Sequence, residues 1–123
     1  MYEKKILRGD IYLADLDPVS GSEQGGVRPV LLCQNNVGNI HSPTTIGMPM
    51  TRNLFKNPLP THVSVSKLYG LDGDSLVLAE QIRTIDRSRL IRYMGSITED
   101  IQFEIDKALV VSLGLNIREL LLI

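Results

Sequence analysis

Along the first two thirds of the chain, apolar positions come in short runs separated by turn residues. In the last third they fall at helical spacing. Asp10–Asp15 (DIYLAD) reads as a first strand, and residues 17–26 as a glycine-punctuated loop. Residues 29–34 form a second strand, in which Val30, Leu31, Leu32 and Cys33 are consecutive rather than alternating. A continuous apolar run of this length calls for burial on both faces. Residues 35–39 are a turn cluster, 44–50 a third strand, and 52–60 an exposed, proline-containing loop. His62–Val65 alternates as a fourth strand, and Asp72-Gly73 predicts a hairpin turn into Ser75–Leu78. Thr98 is placed to cap a helix, with Glu99 and Asp100 favourable in its first turn. Ile101, Ile105, Ala108, Leu109 and Ser112 follow at helical spacing, and Gly114 ends the run. The pattern predicts one α+β domain over residues 1–123, mainly β: a small, strongly bent antiparallel sheet or barrel with a C-terminal helix packed on it. The tail NIRELLLI is apolar enough to need cover, from its own domain or from a second copy.

Composition narrows the chemistry. The 123 residues are 43% hydrophobic and 22% charged, enough apolar material for a core and too much for a disordered chain. The formal net charge is -1, so any nucleic-acid site is a local basic patch on a nearly neutral body. With 4 Tyr, 2 Phe and 0 Trp, stacking platforms for bases are scarce. The single cysteine, Cys33, excludes an intrachain disulfide and fits a reducing compartment. No apolar signal-peptide core follows the N-terminus and no run approaches a membrane span. The expectation is a soluble cytoplasmic protein without a membrane segment.

Several candidate motifs have plain structural explanations. Arg8-Gly9-Asp10 spells an adhesion tripeptide but reads more simply as the charged start of a strand. Cys33, His41 and His62 lack the paired spacing of a zinc site, and no metal or cofactor is expected. His41 and His62 as an acid–base pair are a rival arrangement that nothing in the sequence brings together. The glycines of GSEQGG are not a phosphate loop, because no Lys-Ser/Thr follows; they supply positive φ and mobility. Arg28 stands where that loop meets the second strand. It either anchors the loop on a carboxylate or serves a ligand.

The combination is more informative than its parts. Arg8-Gly9-Asp10-Ile11-Tyr12, then GSEQGGVRPVL from Gly21 to Leu31, Gln34-Asn35, Asn39, Ser42-Pro43-Thr44, Thr51, Pro60-Thr61-His62-Val63 and EQIRTID from Glu80 to Asp86 occur in this order. Together they resemble the MazF/PemK family of bacterial toxin endoribonucleases, most closely those of Gram-positive bacteria. The resemblance covers nearly the whole chain. It implies an SH3-like or CcdB-like barrel, a symmetric homodimer, and metal-independent cleavage of single-stranded messenger RNA at a short sequence, leaving 2',3'-cyclic phosphate and 5'-hydroxyl ends. It also implies a cognate antitoxin protein as partner. The family motif places catalysis on Arg28 and Thr51. RNA contacts are expected from Arg8, Ser22, Glu23, Gln24 and Gln81. The segments Met48-Pro49-Met50 and residues 52–58 depart from the family pattern, as does the long tail.

These residue types suit the implied reaction. Attack of a ribose 2'-hydroxyl on its own phosphate builds negative charge on phosphorus oxygens. A guanidinium forks onto two such oxygens, and a threonine hydroxyl donates to the same group. Arginine stays protonated over the ordinary pH range, so it suits charge stabilisation better than proton abstraction. An acidic Glu23 fits acceptance from an exocyclic base amine better than phosphate binding. Arg8, Arg28, Arg52, Lys56 and Arg83 are the expected basic set for an acidic antitoxin segment, with Leu54, Phe55 and Leu59 as apolar anchors. The rival of another class is a CcdB-like toxin that binds gyrase without cutting RNA. Such toxins act through an aromatic-ended C-terminal helix, whereas this chain ends LLLI.

Overall fold

The computed structural model describes residues 4–54 and 59–121. Phe55 and Lys56 therefore lie outside the described residues. Seven strands, β1 (Asp10–Asp15), β2 (Val27–Leu32), β3 (Thr44–Thr51), β4 (His62–Val65), β5 (Ser75–Leu78), β6 (Arg83–Asp86) and β7 (Leu90–Ser96), form one curved antiparallel sheet. The order is β4-β5-β3-β2-β1-β7, with β6 on β3 off this path. Three helices complete the fold: α1 (Asn36–His41), α2 (Glu99–Leu113) and α3 (Ile117–Leu120).

The expected mixed, mainly β class with a C-terminal helix is what forms. The sheet bends strongly without closing, and among the described residues no ladder joins β4 to β7. Its two ends nevertheless approach. The turn Lys67–Tyr69, which follows β4, lies against β7 so tightly that a Cβ on Gly95 would fall 2.1 Å from the Tyr69 carbonyl oxygen. Glycine is required there by contact between main chains.

The consecutive apolar run of β2 is buried on both faces, as its pattern demands. Leu31 and Cys33 join a core with Ile11, Met48, Met50, Val65, Val77, Ala79, and Ile105 and Ala108 of α2. Val30 and Leu32 face the other way, into a second core with Ile6, Tyr12, Ala14, Leu16 and Ile85. β1 splits its residues between the two cores in the same alternation.

β3 is the member on which the curvature turns. One edge pairs with β2, from Leu32↔Gly47 to Val30↔Pro49. The other edge pairs first with β6, up to Gly47↔Arg83, then with β5, from Met50↔Val77. Met48 and Pro49 fall in the gap between those two partners. Proline is suited to such a break, because it has no N–H to leave unpaired. The turn Ala79–Gln81 connects β5 to β6 beside this gap. It is held by Ser112 Oγ of α2, which donates to the Ala79 carbonyl at 2.9 Å.

Some local expectations are corrected. Residues 35–39 are not a turn cluster: Asn35 caps α1, its Oδ1 accepting from Gly38 N at 2.8 Å. Asp72-Gly73 is not a two-residue hairpin turn, since the β4–β5 connection also holds the turn Lys67–Tyr69. The strands β6 and β7 were not foreseen. Thr98 occupies the N-cap of α2, but its hydroxyl donates to Asp100 Oδ1 rather than accepting from the helix backbone. Gly114 ends α2 in the left-handed conformation at φ 65°. Of the tail, Leu122 and Ile123 lie outside the described residues; among those described, Ile117, Leu120 and Leu121 are exposed.

Two stability predictions follow from the cores. Leu31 is fully buried, so Leu31→Ala is expected to lower unfolding free energy by about 3 kcal/mol, read from a denaturant titration. Burial pushes the Cys33 thiol up from 9.0 to about 11. The unfolded chain therefore loses this proton first, and the folded chain holds it to higher pH. Stability is expected to fall between about pH 9 and 11, and Cys33→Ala is expected to flatten that segment of the pH profile.

Candidate active site

Arg28 is the second residue of β2 and lies opposite Ala14 of β1. Continuing the β2–β3 register two residues beyond Val30↔Pro49 sets Arg28 against Thr51, the last residue of β3. Directly opposed residues of an antiparallel pair point to the same side of the sheet. Hydrogen bonds agree with that placement. Arg28 Nη1 donates to the Met50 carbonyl at 3.2 Å, one residue from Thr51. Its Nε donates to the Gly25 carbonyl at 2.8 Å. The guanidinium thus anchors the loop 21–26 to β3 through the main-chain carbonyls of Gly25 and Met50, one from each segment, not through a carboxylate. Among the described residues Nη2 has no hydrogen-bond partner, which leaves that edge of the fork for a ligand. Thr51 Oγ1 accepts from Asn53 N at 3.1 Å, leaving the hydroxyl proton available.

The loop is tied at several points. Gly26 N donates to Asp17 Oδ1 at 2.9 Å, and Gly26 adopts φ 75°. Gly25 serves a different end from the one expected of it: a Cβ there would lie 2.6 Å from Asp17 Oδ1. Gln24 N donates to Gln81 Oε1 at 2.7 Å, which connects the loop to the turn Ala79–Gln81. Between these segments lies a cleft of about 620 Å³, lined by Ser22, Glu23, Gln24, Pro49, Glu80, Gln81, Ile82 and Arg83. This is within the usual size of ligand clefts.

The structure thus brings Ser22, Glu23, Gln24 and Gln81 to one cleft. Arg28 and Thr51 are not among its lining residues. They stand at its margin, joined to it by Gly25 and by Pro49, which shares a strand face with Thr51. Arg8 is not brought to it: Arg8 Nη2 is 2.7 Å from Asp106 Oδ1 of α2, and its Nε donates to the Cys33 carbonyl at 2.9 Å. Arg52 lies elsewhere again, its guanidinium packed over Gly73. The cleft's own cation is Arg83, with Nη1 donating to the Leu16 carbonyl at 3.0 Å.

Glu80 and Ile82, within the EQIRTID motif, and Pro49, within the segment that departs from the family pattern, were given no site role from the sequence. They come from a turn and a strand break, which carry no periodic signal. Glu80 Oε2 is 2.9 Å from His62 Nε2, and Thr61 Oγ1 donates to Glu80 Oε1 at 3.2 Å. The His62 side chain is only 4% exposed, and its Nδ1 is buried without a partner among the described residues. An unsatisfied buried polar atom costs about 1–3 kcal/mol. The two histidines are separated. His62 opposes Leu78, level with Pro49 by continuation of the β3–β5 register, whereas His41 is exposed and precedes the Thr44 end of β3. Some five residues of strand between those levels span roughly 17 Å.

The chain is 54% identical over 112 residues to the endoribonuclease MazF of Staphylococcus epidermidis, covering 90% of this chain and 93% of that one. Its fold superposes on MazF of Deinococcus radiodurans with a TM-score of 0.80 at 26% identity, covering 92% of this chain and 100% of that one. A mycobacterial endoribonuclease in complex with its cognate antitoxin gives a TM-score of 0.75 at 30% identity, covering 89% and 96%. The family model for PemK-like, MazF-like toxins of type II toxin–antitoxin systems matches residues 7–113, which span both cores, the loop 21–26, Arg28, Thr51 and the cleft, and the chain belongs to that family.

Proposed function

We propose that this toxin, an endoribonuclease of the MazF type, cuts single-stranded messenger RNA at a short sequence without a metal ion. The observation that carries the chemistry is the bond from Arg28 Nη1 to the Met50 carbonyl, which sets the guanidinium beside Thr51 on β3, the strand whose Pro49 lines the cleft. The 2'-hydroxyl oxygen attacks its own phosphorus and gives its proton to water, the bond from phosphorus to the 5'-oxygen breaks, and that oxygen takes a proton from water and leaves as a 5'-hydroxyl. A 2',3'-cyclic phosphate remains. Arg28 directs its unpaired Nη2 edge at the phosphorus oxygens, where charge develops. Thr51 donates its hydroxyl proton to the same group. Both sit on strand ends of a packed sheet, so their spacing is set before substrate arrives.

Base reading is assigned to Ser22, Glu23, Gln24 and Gln81. The cleft carries Glu23 and Glu80 against Arg83, so it is not a general phosphate trough. Arg8 contributes a phosphate contact only from the part of its fork not held by Asp106 and Cys33. The cognate antitoxin is the protein partner, supported by the family and by antitoxin complexes of proteins with this fold. A homodimer is inferred from the apolar side chains left uncovered on α2 and the tail, Phe103, Val111, Leu113 and Leu120 among them. No helix of the described residues is long and apolar enough to cross a membrane, and action on messenger RNA places the protein in the cytoplasm.

Incubation with long single-stranded RNA in EDTA is expected to give discrete fragments with cyclic phosphate ends. Intact RNA would favour a CcdB-like toxin that acts by protein binding. Arg28→Ala is expected to lower cleavage about a hundredfold or more, the scale of losing one donor to a developing oxyanion. A folded Arg28→Ala protein with full activity would overturn the assignment. Glu23→Gln is expected to change the cleaved sequence more than overall affinity, measured by mapping fragment ends. Uniform weakening with an unchanged pattern would remove Glu23 from base reading.

A further inference from the structure

His62 is a polar side chain buried behind Glu80 of the cleft wall, and the mechanism above does not use it. At 4% side-chain exposure it cannot touch RNA. Its Nε2 must carry the proton to donate to the Glu80 carboxylate 2.9 Å away, which in a neutral ring leaves Nδ1 a bare acceptor. That atom is buried and without a hydrogen-bond partner among the described residues. A leucine would fill comparable space without an orphaned polar atom. The imidazole therefore has to be explained by what it holds.

It holds Glu80, together with Thr61, whose hydroxyl donates to the other carboxylate oxygen at 3.2 Å. Both oxygens of Glu80 are thus fixed from the β4 side, while the residue itself lines the cleft. Ahead of Glu80 the turn is pinned by its main chain, Ala79 N donating to the Thr61 carbonyl at 3.1 Å. Immediately after Glu80 comes Gln81, whose Oε1 accepts from Gln24 N at 2.7 Å. Gln24 precedes Gly25, whose carbonyl accepts from Arg28 Nε.

We infer that His62 is a positioning residue for RNA binding: by fixing Glu80 it sets the turn whose Gln81 holds the loop 21–26 against the cleft. This inference rests on the RNA-cleaving reading. It assigns His62 no proton transfer. Its effect falls on how well RNA is seated, because the residues it orders are those that line the cleft. Arg28 and Thr51 themselves stay fixed by their own strand pairings, Arg28 opposite Ala14 of β1 and Thr51 opposite Leu76 of β5. Glutamine at this position is the conservative variant, since its amide can present a donor near the place of the imidazole Nε2. Leucine is the variant that fills the space and removes the donor.

The test is steady-state cleavage of a short fluorogenic RNA by the full chain carrying His62→Leu or His62→Gln, alongside Arg28→Ala. His62→Leu is expected to raise KM about tenfold with kcat within about twofold, the scale of losing one hydrogen bond to a charged group. His62→Gln is expected to recover most of the lost affinity. A purely structural role would lower the active fraction, and so kcat, and leave KM alone; that result overturns the inference. Equal loss of kcat in both variants would place His62 in the chemistry and overturn it as well. If His62→Leu does not fold, Thr61→Val, which removes the other hydrogen bond to Glu80, is expected to raise KM in the same direction, and unchanged KM there counts against the proposal. Inactive wild-type protein would instead refute the reading of RNA cleavage, so the two failures are told apart.

Discussion

The structure depends on β3 changing partners along one edge. A strand whose neighbour ends halfway leaves main-chain groups that must be satisfied or removed. Here the break falls at Met48 and Pro49, between Gly47↔Arg83 and Met50↔Val77. Proline removes one donor at the break, and the turn Ala79–Gln81 occupies the space beside it. The same break lets the sheet bend, so that its apolar residues sort into two cores on either side of β2. It also opens the cleft, because Pro49 and the turn are two of its walls.

Arg28, to which catalysis is assigned as a proposal, is held in a way that keeps its charge available. Its bonds to Gly25 and Met50 are made to carbonyl oxygens, which carry only partial charge. A carboxylate partner would have cancelled its positive charge. Bound as it is, the guanidinium is oriented yet remains an effective cation toward a phosphate. Anchoring and function are therefore not alternatives here, since one donor holds the loop, a second holds β3, and Nη2 has no hydrogen-bond partner among the described residues.

The charge distribution fits selective rather than general nucleic-acid binding. A net charge of -1 cannot supply strong sequence-independent attraction. The cations are dispersed, with Arg8 committed to Asp106, Arg52 against Gly73 and Arg83 in the cleft. Carboxylates of Glu23 and Glu80 in the same cleft favour contacts with base amines over contacts with phosphates. Affinity must then come from correctly seated bases, which makes the position of the loop 21–26 decisive.

Much was legible in the sequence wherever a local rule governed the outcome. The two-sided burial of β2 followed from four consecutive apolar residues. The span of α2 followed from its spacing and from Gly114, and Arg28, Thr51 and the loop 21–26 stood out through an extended motif. What tertiary structure alone decided are relations without a local signature. The register that sets Arg28 against Thr51 is a property of two strands. The strands β6 and β7 take their form from β3 and β1, which they pair with, more than from their own mixed polar sequences. The turn Ala79–Gln81, and with it Glu80 and its buried partner His62, is placed by a gap in a neighbouring strand. Residues 35–39 looked like a turn because asparagine and glycine favour one, yet Asn35 used the same side-chain chemistry to start a helix. Arg8, equally prominent in the motif, was drawn away by Asp106, ninety-eight residues distant in the chain, because an ion pair depends on position in space and not on sequence separation.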